Sequence, residues 1–205
     1  MLKNMNKSDL KYAYFPGCAS KQLTNEYDIS TRLACEKLGV KLVDIPEFSC
    51  CGAGVVRETS KAFNESINAR NFALAEQKKL DIMSICSTCI INLRKDLLEL
   101  RKNKQKLNQI NSYLKKFKLE CSASLDVKHF LWTLTDEIGA KRIKSNLKAP
   151  LTGLKIATYY GCHIIRPSEI VKEHQKSENP VNFEEFIKIL GGTPIDVTEK
   201  LDCCG

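Results

Sequence analysis

Eight of the ten cysteines in this 205-residue chain fall into two ordered sets. The first runs Cys18, Cys50-Cys51-Gly52, then Cys86-Ser87-Thr88-Cys89, with 31 residues between Cys18 and Cys50 (x31) and 34 between Cys51 and Cys86. The second begins at Cys162 and reaches Cys203-Cys204-Gly205. Few chemistries need so many thiolates together. Structural zinc takes four ligands in a tetrahedron, and an ordinary cubane iron–sulfur cluster also takes four thiolates. The first set offers five sulfurs, so either one is spare or the metal group has a wider footprint. A disulfide framework fits poorly. Neighbouring Cα atoms lie about 3.8 Å apart, inside the ~4.4 Å lower end for ordinary disulfides.

Successive side chains in extended backbone point to opposite faces. For Cys50 and Cys51 to serve one group, the chain must turn, and Gly52 and Gly54 tolerate the positive φ that such a turn needs. The Cys86-x-x-Cys89 pair alone would suit two further chemistries. It could be a dithiol whose first thiolate is stabilised by a helix N-terminus, or half of a zinc knuckle. Taken with the adjacent pair and the second set, it points first to iron–sulfur chemistry. Cys35 lies in an apolar helical stretch and reads as a small core residue; Cys121 has no place in the pattern. His163, directly after Cys162, could give a proton or a hydrogen bond beside a cluster, or it could merely cap or pack. Arg166 could stabilise an electron-rich group or bind an anion. His129 and His174 read as structural or exposed.

The elements that must position these residues alternate in type. Tyr12 to Phe15 reads as a buried strand stopped by Pro16-Gly17. Leu23 to Leu38 reads as a helix ending at Gly39, and Val40 to Ile45 as a strand leading to the cysteine pair. Thr59 to Lys79 is expected to be a long helix with Ala62, Phe63, Ile67, Phe72, Leu74 and Ala75 in the core. Asp81 to Ile85 is a strand, and Cys86 opens a helix from Ile90 to about Lys102. A bridging section from Cys121 to Gly153 carries a helix around Val127 to Ile138. Leu154 to Tyr160 is again a strand, Phe183 to Leu190 a helix and Pro194 to Val197 a strand. Such alternation predicts an α/β fold with a mostly parallel sheet, in which ligands gather beyond the strand ends.

The two halves match in detail. Tyr14 to Cys18 corresponds to Thr158 to Cys162, and Leu38-Gly39, Asp44 and Cys50-Cys51-Gly52 correspond to Leu190-Gly191, Asp196 and Cys203-Cys204-Gly205. No apolar run approaches the ~18 residues that span a bilayer, and Met1 to Lys11 has no apolar core of a secretory signal. These features predict a cytoplasmic, metal-binding or redox-active chain. The net charge is +8. Arg101 to Lys118 holds seven basic residues and no acidic one, with Leu107, Ile110, Leu114 and Phe117 at helical spacing. This reads as a helix packed on the domain with a solvated basic face, or as a contact for an anionic membrane or acidic partner. Nucleic acid is not expected, because aromatic residues are not interleaved with the charges.

The pattern C-x31-CCG-x33-C-x-x-C, with Tyr160-Gly161-Cys162-His163-x-x-Arg166-Pro167 opening the second copy, resembles the CCG-domain proteins. These include the B-type heterodisulfide reductase proteins and the E-type proteins of succinate dehydrogenase and methylmenaquinol:fumarate reductase. Phe15-Pro16-Gly17-Cys18, Cys86-Ser87-Thr88-Cys89 and Leu201-Asp202-Cys203-Cys204-Gly205 look most like the E-type branch. The resemblance implies two duplicated CCG half-domains, over 1–120 and 154–205, joined by a helical bridge over 121–153. It implies a non-cubane 4Fe–4S cluster on Cys18, Cys50, Cys51, Cys86 and Cys89. Cys162, Cys203 and Cys204 match three ligands of a second site, whose remaining two would lie about 35 residues further on; the second half is thus expected to be incomplete. The implied partners are iron–sulfur and flavoprotein subunits of one complex, a quinone or disulfide substrate, and the inner membrane as a peripheral contact. Three functions follow: a quinone-linked electron-transfer subunit, a B-type heterodisulfide reductase protein acting on a thiol disulfide, or a zinc-stabilised interaction module without redox work. CCG proteins of lactate or glycolate oxidation are a more distant match.

Overall fold

The structure, a computed structural model, describes residues 10–174 and 176–203. Cys204 and Gly205 lie outside the described residues. Four strands form the main sheet: β1 (Lys11–Phe15), β2 (Lys41–Asp44), β3 (Asp81–Ser84) and β4 (Val127–His129). Their order is β2-β1-β3-β4, and every neighbouring pair is parallel. A second, two-stranded parallel sheet pairs β5 (Lys155–Ala157) with β6 (Thr193–Ile195). The first half carries α1 (Cys18–Gln22), α2 (Asn25–Lys37), α3 (Val55–Thr59), α4 (Lys61–Gln77), α5 (Ser87–Lys102) and α6 (Lys104–Leu114). A long helical stretch follows, from α7 (Phe130–Trp132) through a π-helical segment, Thr133–Ile138, into α8 (Gly139–Asn146). The second half adds α9 (Cys162–Ile165), α10 (Ser168–Val171) and α11 (Asn182–Ile189).

Strand alternation splits the core into two layers. Ala13, Phe15 and Ile82 face α4 and α5 and pack with Phe72, Ala73, Ile90 and Leu93. Tyr12, Tyr14 and Met83 face the other way and pack with Cys35, Leu38, Leu134 and Ile138. Both faces of the parallel sheet are therefore covered, as helical crossovers require. The expected α/β class with short parallel sheets and flanking helices is what the chain adopts.

Several expected elements differ in detail. The helix expected from Leu23 to Leu38 is α2, which starts at Asn25; the chain breaks at Leu23-Thr24, leaving Leu23 83% exposed, and the short α1 precedes that break. Val127 to His129 is a strand, not the start of a helix; it completes the first sheet from within the segment read as a bridge. Its three residues are too few to show a period of two. In α4, Phe72 and Ala75 are buried as expected, but Ala62 and Phe63 are exposed and Ile67 and Leu74 only half-buried. Asn64, Glu65, Asn68 and Asn71 take the inner positions instead. In α6, Leu107, Ile110 and Leu114 are buried, whereas Phe117 beyond it is 71% exposed.

Cys35 and Cys121 both sit in the core, where burial pushes each thiol up to about 12. Asn111 holds the backbone of Cys121 from both sides, donating to its carbonyl and accepting from its N–H at 2.9 Å each. His129 is buried at the end of β4, and its Nδ1 accepts from the Leu131 N–H at 3.1 Å. The ring proton is thus on Nε2, which donates to the Ile85 carbonyl at 3.2 Å. Burial lowers the imidazole from 6.5 to about 4. The unfolded ring takes up a proton below about 6.5, while the folded ring does so only near 4, so this contribution to stability is full above 6.5 and lost as pH falls toward 4. Urea unfolding should therefore show a loss of about 2 kcal/mol from this group between pH 6.5 and 5. His129→Asn should flatten the slope by that amount; parallel slopes for both proteins would refute the assignment.

Candidate metal centre

All five cysteines of the first set lie at the carboxyl end of the first sheet. Cys18 opens α1 just after β1, Cys50 and Cys51 follow β2, and Cys86 and Cys89 follow β3. Cys51 and Cys89 are buried, Cys86 is half-buried, and Cys18 and Cys50 are exposed. The Cys51 and Cys89 sulfurs are 3.4 Å apart. The Cys86 thiol also neighbours that of Cys89, and the Cys18 thiol that of Cys50, all of them free. Among the described residues no three His, Cys, Asp or Glu side chains converge as a site for a single ion. The five thiols are arranged as linked neighbours at one end of the sheet.

Local backbone dictates this gathering. Gly17 has φ 84°, and a Cβ there would lie 3.3 Å from both Cys86 Cβ and Cys89 Sγ. A side chain at Gly17 would thus press on the pair across the site. Gly52 and Gly54 both have positive φ, as the turn at the cysteine pair demands. At Gly52 a Cβ would stand 2.1 Å from Asn64 Oδ1, so the turn is seated directly on α4. Cys86 is the N-cap of α5, and its sulfur accepts the Cys89 N–H at 3.4 Å.

The protons are unevenly shared. The Cys89 thiol has both Cys51 and Cys86 as hydrogen-bonding neighbours and is buried, so it is held protonated. Its hydrogen bond, with backbone N–H groups assisting, lowers Cys86 to about 6. The same partner lowers Cys51 to about 7. Burial raises Cys50. Near neutral pH the group thus holds thiolate beside a shared proton, the state from which thiols ligate metal. Burial, then the charge of Cys86, raises the phenol of Tyr27, whose hydroxyl reaches the neighbouring Ile85 carbonyl.

A buried polar cluster under the cysteine pair was not legible from the cysteine pattern. Asn68 donates to the Cys51 carbonyl at 3.0 Å, and Asn92 donates to the same oxygen. Asp96, fully buried, accepts from Asn64 at 2.6 Å, Asn68 at 2.7 Å and Arg57 at 2.7 Å. Asn71 brackets Ser49, accepting from its N–H at 2.9 Å and donating to its carbonyl at 3.2 Å. The readable signal was Asn64, Asn68 and Asn71 at i, i+4 and i+7, one face of α4.

In the second half, Cys162 opens α9 after β5. The segment leading to Cys203 is tied alongside: Lys200 O accepts from the Tyr160 N–H at 2.9 Å, and Asp202 O from the Tyr159 hydroxyl at 2.7 Å. Cys203 is exposed, and Cys204 is beyond the described residues. His163 does not pack inward; it lies at the surface, with Nδ1 2.9 Å from the Thr88 hydroxyl. The start of the second set therefore touches the Cys86-x-x-Cys89 segment of the first. Arg166 is exposed after α9. A cleft of about 390 Å³ opens on the Cys18 and Cys50 side, walled by Phe15, Phe48 and Lys21.

A parallel sheet with thiols gathered beyond its strand ends defines a cysteine-rich α/β module. Residues 12–94 match the family model described as CCG, a cysteine-rich domain. The 8-methylmenaquinol:fumarate reductase membrane anchor subunit of Wolinella succinogenes is 36% identical over 195 residues, covering 95% of this chain and 67% of that protein. The heterodisulfide reductase B-like protein of Archaeoglobus profundus is 27% identical over 198 residues, 96% of this chain and 66% of that protein. This chain belongs to the CCG cysteine-rich family. A crystal structure of a hypothetical protein from Helicobacter pylori shares the fold, with TM-score 0.67 and 19% identity over 96% of this chain and 35% of that one. The chain spans about two thirds of the length of these curated relatives. Both relatives carry reductase names. Among the described residues no helix is long and apolar enough to cross a membrane.

Proposed function

We propose that this chain is an iron–sulfur electron-transfer subunit of an oxidoreductase complex, of the quinone-linked E-type fumarate reductase or succinate dehydrogenase kind. The observation that carries this reading is the five-thiol group at the sheet's carboxyl end, with Cys51 and Cys89 3.4 Å apart at its centre. The donor set fits the cofactor: soft sulfurs, two of them lowered toward neutral pH, and more of them than one tetrahedral ion takes. Cys18, Cys50, Cys51, Cys86 and Cys89 would hold a non-cubane 4Fe–4S cluster, and Cys162, Cys203 and Cys204 would belong to a second site. When bound, such a group accepts and returns electrons at a potential set by hydrogen bonding and burial. The chain's own residues keep the cysteine turn rigid through Asn68, Asn92 and Asp96, and present helix N-terminal N–H groups to Cys86. His163, held by Thr88 between the two sets, would supply a proton or hydrogen bond, and Arg166 would stabilise anionic charge. Flavoprotein and iron–sulfur subunits are the proposed partners, with the inner membrane as a peripheral contact.

The heterodisulfide reductase reading is supported by a separate observation. The cleft beside the exposed Cys18 and Cys50 is large enough to admit a thiol disulfide. Iron and acid-labile sulfide, measured on protein purified without oxygen, test the shared core of both readings. About four of each per first site is expected; one zinc without sulfide would leave a structural zinc module in its place. Electron delivery to a quinone, against cleavage of a disulfide, then separates the two.

The membrane contact has its own support. Exposed Lys115, Lys116 and Lys118 flank exposed Phe117, and Tyr113 is 56% exposed nearby. Each basic residue near an anionic bilayer contributes about 1 kcal/mol. Reversing all three lysines to glutamate should weaken binding to anionic vesicles by roughly a hundredfold; unchanged vesicle sedimentation would remove this surface from the proposal.

A further inference from the structure

A second cavity, of about 370 Å³, lies between α2, the long stretch from α7 to α8, and α11, with no cysteine of either set among the described residues that line it. Its size is that of a small-molecule site, for which ~300–1,000 Å³ is usual. The walls are apolar, with Leu134, Phe183, Phe186 and Leu190 prominent, and Lys37 is the one charged residue among the described residues lining it. A neutral, largely apolar molecule suits such walls. Tyr27 and His129 also line it.

Tyr27 has an unusual posture. The residue is 47% exposed, yet its hydroxyl points inward to the Ile85 carbonyl at 3.1 Å. An exposed tyrosine ordinarily keeps its polar tip wet. The same carbonyl also accepts from His129 Nε2 at 3.2 Å. Ile85 O thus keeps one donor if the Tyr27 hydroxyl turns away, and no buried acceptor is orphaned. Turning the hydroxyl toward the cavity, which Tyr27 lines, therefore costs one hydrogen bond and leaves no carbonyl unpaired. Ile85 immediately precedes Cys86, so the carbonyl that Tyr27 bonds lies one residue from the thiol site.

We infer that the cavity binds a neutral aromatic ketone of the quinone class, its apolar body among the phenylalanine and leucine walls and one carbonyl oxygen accepting from Tyr27. The choice of a redox-active ligand rests on the electron-transfer function proposed for the thiol site; the cavity and its releasable hydroxyl do not.

The test is calorimetric titration of the full chain, purified without oxygen, with two probes of one shape. One is dimethylnaphthoquinone substituted so that no ring position is open to thiol addition; the other is dimethylnaphthalene, which lacks the carbonyls. The quinone should bind about three- to tenfold more tightly, the worth of one hydrogen bond. Tyr27→Phe should erase that difference while leaving the hydrocarbon unaffected. Ala34→Phe, which fills the cavity from α2, should weaken both probes by more than about tenfold. Leu190→Trp serves the same end from the opposite wall, and circular dichroism reports that each variant is folded. Equal affinities for the two probes, or binding indifferent to both filling substitutions, would overturn the inference. Binding is read without electron transfer, so it is separable from the function it rests on. A chain that binds the quinone but holds zinc and no sulfide loses its electron-transfer role and keeps this site. One that holds the cluster but binds both probes alike loses this site alone.

Discussion

Cys51→Ser and Cys89→Ser should each leave the anaerobically purified chain with less than about a tenth of its iron, while Cys35→Ala keeps all of it. Loss of a group that merely orients a ligand typically costs about 10–100-fold in metal affinity, and loss of a ligand costs at least as much. Cys51 and Cys89 are the two buried sulfurs of the first set, touching one another at the centre of the group. Water cannot reach in to replace either. Cys18 and Cys50 are exposed at the rim, so Cys18→Ser and Cys50→Ser should lose iron only in part and become more sensitive to oxygen. Cys35 is equally buried but lies among Tyr12, Tyr14 and Leu38 on the opposite face of the sheet. The comparison therefore separates a ligand from a core thiol at matched burial. Full iron in the Cys51 variant would sink the five-thiol site.

Asp96→Ala should be the most damaging substitution that touches no sulfur. The carboxylate is fully buried and accepts from Asn64, Asn68 and Arg57. Removing it takes an acceptor from three donors at once: Asn64 is stranded, Asn68 keeps only the Cys51 carbonyl, and Arg57, whose side chain is 22% exposed, keeps only Asn92. Breaking such a buried pair from one side costs about 3–5 kcal/mol. The cost falls on the cysteine turn, because Asn68 also holds the Cys51 carbonyl and Asn64 seats Gly52. Denaturant unfolding should show the loss, and iron content should fall with it. Asp96→Asn keeps the shape but turns an acceptor into a donor against Asn64 or Asn68; it should be intermediate. A stable, iron-replete Asp96→Ala protein would mean that the turn stands without this cluster.

Strands β1, β2 and β3 were legible because each is a short apolar run stopped by a turn or by the cysteines themselves. That the five cysteines lie at one end of the sheet was legible for a related reason: parallel strands deliver their following loops to one end. β4 was not, since Val127-Lys128-His129 is too short to reveal its period and lies beside a strong helical pattern. The inner face of α4 misled for a physical reason. Asparagine is ordinarily solvated, and only the partners supplied by Asp96, Cys51 and Ser49 offset the cost of burying it. Phe63 was misplaced by the same logic reversed, since the face it would have shared is taken by amides. His163 was singled out for its place beside Cys162, yet the structure turns it toward Thr88 in the other set, a contact across 75 residues that no local pattern encodes.

α5 carries more of the molecule than its place in the sequence suggests. Its first turn holds Cys86 and Cys89, and one flank holds Asn92 and Asp96 beneath the cysteine turn. From another flank the buried Arg94 donates to the Ile170 carbonyl of α10 at 2.9 Å and to the Val127 carbonyl of β4 at 2.8 Å. Its last turn donates from Arg101 to the carbonyls of Ala123 and Leu125. At 1.5 Å per residue this is a rod about 24 Å long, gripped along its whole length. A push on α10 is therefore delivered to the sulfurs as a small roll or slide of one stiff shaft, and the sheet need not flex for the second half to be felt at the first.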